Sequence, residues 1–230
     1  MDANTACVWR VILRNYPCTK LCVKTHSGLS MSTVLRAVET LREEGWITAD
    51  AHTVPSGGKP HADLRPSARP VYGAILKEDE WDVCALLPTG EETRLVLPSV
   101  DELRPLTVVT PNAHAPLHAQ ELSFAECAAA YLAIKENGVY VDDALCLYTA
   151  TGVKIDLGSL PSPLLTDRRL AYREAFDKAT PQQKNRLTAE LTTYITTILQ
   201  VKRVYFADQV TVAPALAAAW ASLAKLIGHL

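Results

Sequence analysis

No run of about 18 apolar residues occurs in the chain, so no segment reads as a bilayer-crossing helix. The N-terminus lacks the basic stretch followed by an apolar one that marks a secretory leader, and the expectation is a cytoplasmic protein without a membrane partner. Paired cysteines are missing too. Cys7, Cys18, Cys22, Cys84, Cys127 and Cys146 are scattered, and the closest pair, Cys18 and Cys22, has no second pair or histidine cluster at zinc-ligand spacing. They read as reduced thiols. His114 and His118 lie four apart with no third ligand in view, so neither a metal nor a cofactor is expected. There is no internal repeat and no low-complexity tract. A net charge of −2 over 230 residues names no partner by itself.

What is present is a core-forming composition, 48% hydrophobic, in a length that holds one large domain or two. The charge is unevenly placed. Residues 1–75 hold nine Lys and Arg against six Asp and Glu, whereas residues 76–230 hold 14 against 19. The basic part is the N-terminal third, and there the pattern is most specific. "SGLSMSTVLRAVETLREEGW", residues 27–46, repeats Leu29, Val34, Leu35, Val38, Leu41 and Trp46 at threes and fours and puts Ser32, Thr33 and Arg36 on the other side.

A first periodic segment, "NTACVWRVILRNY", carries Val8, Val11, Ile12 and Tyr16 and stops at Pro17. Thr19 caps a short helix that carries Leu21, Cys22 and Val23 and ends at Gly28. Ser30 caps the third helix and Gly45 ends it. Strand-like pieces around Trp46–Ala49 and Ala62–Leu64 then flank a Pro-Ser-Gly-Gly turn. Helix, short helix, turn, longer helix and hairpin is the order of a winged helix-turn-helix.

Such a unit presents the N-terminal half of its third helix to the B-DNA major groove. Met31, Ser32, Thr33 and Arg36 are the candidates for base edges. Lys20, Lys24 and His26 are placed to meet phosphates, and Gly57, Gly58 and Lys59 would form the wing tip.

A linker is expected at Pro66–Pro70. Beyond it come the strand-like runs "VYGAILKE", "DVCALLPT", "TRLVLPS" and "LTVVTP", then a helix over about 123–135 and the strand pair "ALCLYTA" and "GVKIDLG". Helices over about 167–178 and 181–200, a buried strand "RVYFAD" and a last helix over about 213–227 complete the chain. Strands in a meander that later alternate with helices indicate an α/β sheet unit. Gly152 and Gly158 read as turn glycines.

With these residues in place, the chain resembles the ROK family, whose regulators join an N-terminal winged helix to a sugar-kinase-like domain of the actin/hexokinase type. "GLSMSTVLRAVETLREEGWI" is similar to its Gly-Leu-Ser turn entering the recognition helix, and "SGGKPHADLRPSARPVYGAIL" to its Gly-Arg-Pro wing leading into the first strand of the sugar-binding domain. The resemblance covers roughly residues 5–75. Further on, "AECAAAYLAIKENGVYVDDALCLYTATGV" and "LTTYITTILQVKRVYFADQV" match helix-strand segments without the signature residues.

The resemblance implies a fold class of α/β, α+β overall: a winged helix-turn-helix over residues 1–68, then a reduced ribonuclease H-like domain over residues 69–230. The family's kinases hold phosphate on an Asp-Leu-Gly-Gly-Thr hairpin; here that place reads "GAILKEDEW", with Gly73 alone. Their basic aspartate matches either "AECA" at Ala125–Ala128 or "PNAHA" at Pro111–Ala115, and neither segment holds an aspartate. The Glu-x-Gly-His segment is missing. Phosphoryl transfer thus lacks its cradle and its base. The expectation is a regulator that binds double-stranded DNA, a repressor acting as a homodimer, with a catalytically inactive domain that dimerises or holds an unidentified small-molecule effector. The alternatives are a divergent sugar kinase and a protein-interaction module built on a winged helix.

Overall fold

The computed structural model describes residues 1–52, 61–110, 115–149, 151–161 and 171–227. It is a mixed α/β structure with three sheets. The chain opens with helices α1 (Ala3–Asn15), α2 (Lys20–Ser27) and α3 (Met31–Glu43), followed by strands β1 (Ile47–His52) and β2 (His61–Pro66). Thr19 accepts a hydrogen bond from the Cys22 amide as N-cap of α2, and Gly28 closes that helix at φ 69°. β1 and β2 pair antiparallel, Ile47 opposite Pro66 through His52 opposite His61. Between α1 and α2 the single extended residue Cys18 joins β2, its amide donating to the Leu64 carbonyl (3.2 Å) and its carbonyl accepting from the Leu64 amide (2.8 Å).

The next five strands are β3 (Val71–Lys77), β4 (Glu80–Leu86), β5 (Glu92–Leu97), β6 (Leu106–Thr110) and β7 (Gln120–Ser123). They form one sheet in the order β5-β4-β3-β6-β7. The first three are an antiparallel meander; β6 runs parallel to β3 and β7 parallel to β6. Helix α4 (Phe124–Glu136) follows, started by a reciprocal cap between Ser123 and Glu126.

A second sheet then repeats the plan. Strands β8 (Gly138–Val141), β9 (Cys146–Tyr148) and β10 (Lys154–Asp156) form a meander, helices α5 (Tyr172–Lys178) and α6 (Pro181–Leu199) follow, and β11 (Arg203–Phe206) returns parallel to β8. The order is β10-β9-β8-β11, the same third-second-first-fourth arrangement as the first sheet. The last helix, α7 (Pro214–Leu226), belongs to this half by chain order but lies on the first sheet.

That crossing is what holds the halves together. One face of the second sheet, Val139, Val141 and Leu147, packs on Leu187, Leu191 and Ile195 of α6. The other, Tyr140, Cys146 and Tyr148, packs on Ala128, Ala129 and Leu132 of α4. α4 in turn meets α7 through Cys127, Ala130, Ala217, Ala218, Ala221 and Ala224, small residues that let two helices approach closely. At Gly73 in β3 the approach is closest: an added Cβ would stand 2.0 Å from the Ala219 nitrogen and 2.2 Å from the Ala215 oxygen. The opposite face of the first sheet, Ala74, Trp81, Val83 and Val108, is covered by Val100, Leu103, Ala115 and Ala119 from the strand connections.

The three N-terminal helices share their core with the first sheet. Val8, Trp9, Ile12, Val34, Val38 and Leu41 belong to one apolar cluster with Val71, Cys84, Leu86, Trp220 and Leu223. The segment expected as a linker is tied down: Ser67 donates from its amide to the Trp46 carbonyl (2.9 Å) and from its hydroxyl to the Gly45 carbonyl (2.6 Å).

Several expectations are corrected. β7 and β8 stand where none was expected; one is short and mixed in polarity, and the other follows α4 after the single left-handed residue Asn137. β11 is an edge strand, so only Val204 of it is buried. Gly152 and Gly158 both stand in turns as expected, Gly152 at φ 75° and Gly158 inside the turn closed by the Leu160 amide on the Leu157 carbonyl (3.1 Å). The lack of a Cβ at Gly158 makes room for the Arg173 guanidinium, 2.8 Å from where that atom would be. Helix α5 begins at Tyr172; residues 167–170 lie outside the described residues.

Candidate nucleic-acid interface

Helix α3 buries Val34, Ala37, Val38 and Leu41 and leaves Ser32, Leu35, Arg36 and Glu39 exposed. The outward residues recur at threes and fours and so form one stripe. Leu35, expected on the buried side, is 45% exposed and stands in that stripe. The small Ala37 takes the inner position instead, and it is the residue in the sequence that could have signalled the correction. Thr33 and Met31 are half-buried at the edge of the face.

The start of α3 is fixed by hydroxyls. Ser30 Oγ accepts from the Thr33 amide (3.2 Å) and lies 2.9 Å from Ser32 Oγ and 2.8 Å from Thr33 Oγ1. The first turn therefore presents a small hydrogen-bonded hydroxyl cluster at the positive end of the helix dipole. Among the described residues Arg36 makes no ion pair. Further along, Glu39 pairs with Arg42 at 2.5 Å, so charge changes from basic to mixed along the helix.

On α2, Lys20 is half-buried and Lys24 exposed; four residues apart, they share a face. Leu21 is 62% exposed rather than packed. His26 Nδ1 lies 2.9 Å from the Cys22 carbonyl oxygen and 3.5 Å from Cys22 Sγ, which folds the imidazole back on its own helix. Its position is internal to α2 rather than extended toward a partner.

The hairpin that follows is held at its base. Trp46 meets Trp9 of α1 at a 42° tilt with ring centroids 5.0 Å apart, and the Arg69 guanidinium lies over the Trp46 ring at 4.3 Å. Gly57, Gly58 and Lys59, the expected tip, lie outside the described residues.

The place matching the family's phosphate hairpin is a two-residue turn: Lys77 pairs with Glu80 across Glu78 and Asp79, and Glu78 is left-handed at φ 55°. Glu78, Asp79 and Glu80 are exposed and Lys77 is held by Asp82 at 2.7 Å. A turn that presents carboxylates repels a polyphosphate. Among the described residues no group of three His, Cys, Asp or Glu could hold a metal ion, and His118 instead has Nε2 3.1 Å from the Leu103 carbonyl oxygen. His114 is outside the described residues. None of the described helices is long and apolar enough to cross a membrane.

No family model and no curated protein matches this sequence. Among solved structures, a ROK family transcriptional regulator, described as a homolog of the E. coli MLC protein, is similar at 12% identity and a TM-score of 0.47, over 82% of this chain and 67% of that one.

Proposed function

We propose that residues 1–68 form a winged helix-turn-helix that binds double-stranded DNA, and that the chain is a transcription regulator. The observation that carries this reading is the outward stripe of α3. Ser32, Leu35 and Arg36 are exposed on a helix whose other face is locked against α1, and Arg36 has no ion pair among the described residues to satisfy it. A guanidinium in that position can fork onto a guanine edge or a phosphate, a hydroxyl can donate or accept, and the Leu35 methyls can meet a thymine methyl. Pairing of Cys18 with β2 adds the third short strand that braces a wing. Lys20 and Lys24 supply phosphate contacts from α2, with Gly57, Gly58 and Lys59 proposed at the wing tip.

The repeated third-second-first-fourth strand order supports a reduced, duplicated actin-like or ribonuclease H-like unit over residues 69–230. The acidic turn at Glu78 and Asp79 supports its being catalytically inactive. Its role in this reading is to pair two copies as a homodimer, setting two reading helices on two half-sites of a repressor's operator.

The test is fluorescence anisotropy of the protein against its own upstream DNA and a scrambled duplex across a salt series. Preference for the upstream duplex, with affinity falling as salt rises, is expected. Arg36→Ala with Lys24→Ala weakens binding by at least about tenfold and flattens the salt dependence. Absence of binding to either duplex at low salt overturns the reading. The exposed Leu21 and Leu35 favour one second reading, a protein-docking module, which a DNA-silent protein would leave standing.

A further inference from the structure

We propose that the cleft between the N-terminal helices and the first sheet is a binding site for a small, multiply charged oxyanion. The cleft encloses about 750 Å³, the size of a metabolite pocket. Three separate parts of the chain wall it. Glu44, Trp46 and Arg69 come from the end of α3 and the base of the hairpin; Arg104, Thr107, His118 and Gln120 come from the sheet side; Ser222 and Lys225 come from α7.

Its charge is one-sided. Among the described residues Arg69, Arg104 and Lys225 share the wall with a single carboxylate, Glu44, and none of the three cations makes an ion pair. Both arginines are held in place by one arm only. Arg69 Nη1 donates to the Glu44 carbonyl oxygen and Arg104 Nη1 to the Asp101 carbonyl oxygen (2.8 Å), which leaves the remaining guanidinium N–H groups without an anionic partner. Stacking on Trp46 restricts Arg69 further. Fixed, unpaired guanidiniums with one mobile ammonium suit an oxyanion of two or more charges.

The uncharged groups of the wall are engaged or closed off. Gln120 Oε1 is buried from solvent. Ser222 Oγ donates to the Tyr72 carbonyl oxygen (2.8 Å) and lies 2.7 Å from Thr107 Oγ1, which supplies the proton of that second bond, so recognition of a ligand falls to the three cations. The site stands apart from the outward stripe of α3, and its test needs no DNA.

Isothermal titration of the full chain with citrate and with glycerol 3-phosphate tests this, the pair telling a polycarboxylate from a phosphate-bearing ligand. Saturable binding of citrate or of glycerol 3-phosphate is expected. Lys225→Gln, an exposed substitution that spares the core, and Arg104→Gln each weaken it by about tenfold, with an unchanged melting temperature. Should neither probe bind saturably below about 10 mM, or should Lys225→Gln leave the affinity unchanged, the site is overturned.

Discussion

Replacing Gly73 by alanine tests the crossing of α7 over the first sheet with a single methyl group. The new Cβ would stand 2.0 Å from the Ala219 nitrogen, 2.2 Å from the Ala215 oxygen and 2.5 Å from the Ala218 carbonyl carbon, all backbone atoms. Ordinary van der Waals contact begins near 3.5 Å, so α7 or β3 must retreat by about 1–1.5 Å. No rotamer change relieves the clash, because none of the three atoms belongs to a side chain. Lifting α7 loosens Ala215, Ala219, Trp220 and Leu223 from the same cluster that holds α1 and α3. Overpacking typically costs about 1–3 kcal/mol, and a clash with backbone belongs at or above the upper end. At about 2–4 °C per kcal/mol for a chain of this size, the melting temperature falls by roughly 6–12 °C.

Gly152→Ala is the control. It sits at φ 75° with nothing within 4 Å of its added Cβ, so its cost is backbone strain alone, about 1–2 kcal/mol. Calorimetry on both variants separates the two effects. A Gly73→Ala protein that melts within about 2 °C of the parent, or below which Gly152→Ala falls, would refute the close packing of α7 on β3.

Ser30→Ala removes the N-cap of α3 and costs about 1 kcal/mol, read as a small drop in the urea midpoint. Leu35→Ala, on the exposed stripe, changes stability by less than about 0.5 kcal/mol yet weakens DNA binding in the anisotropy assay; a large stability loss would mean that Leu35 is packed after all. Burial, aided by the Glu126 carboxylate, pushes the Cys127 thiol up from an ordinary 9.0 to about 12, and burial likewise lifts Cys18 and Cys84 to about 11. With folded values above unfolded ones, the stability that these neutral thiols contribute is complete below pH 9.0 and is lost as pH rises toward the folded values, so the urea midpoint should fall over that range. In the native state at pH 8, iodoacetamide should modify the half-buried Cys7 and Cys22 before the four buried thiols, with mass spectrometry of the digested protein as the readout.

The N-terminal helices were legible because their signals are local. Thr19, Gly28, Ser30 and Gly45 each act within a turn of where they stand, and the structure uses all four as the sequence suggests, Gly45 closing α3 at φ 74°. The inner face of α3 was legible as a stripe but not to the residue: Leu35 and Ala37 differ in side, and the choice belongs to the neighbouring helix α1. The duplication of the sheet plan was invisible because it resides in strand order and direction, which leave no periodic trace in side chains. Gly158 was legible as a turn glycine, but its second use was not, since its small size also serves Arg173, which is 15 positions away in the chain. The cleft could not be read at all, because Arg69, Arg104 and Lys225 are brought together only by the tertiary structure.

The shared core of α1, α3, β4 and α7 has a consequence for how any operator would be measured out. A reading head on a flexible tether tolerates variable distances between half-sites, as beads on a string do. In the DNA-binding reading proposed above, the head is set into the body like a stone in a ring, with Trp220 and Leu223 part of the setting. Two copies joined through their bodies would act as a fixed caliper. Inserting five base pairs between half-sites, half a helical turn, would put the second site on the far side of the duplex, and inserting ten would restore its face but not its reach.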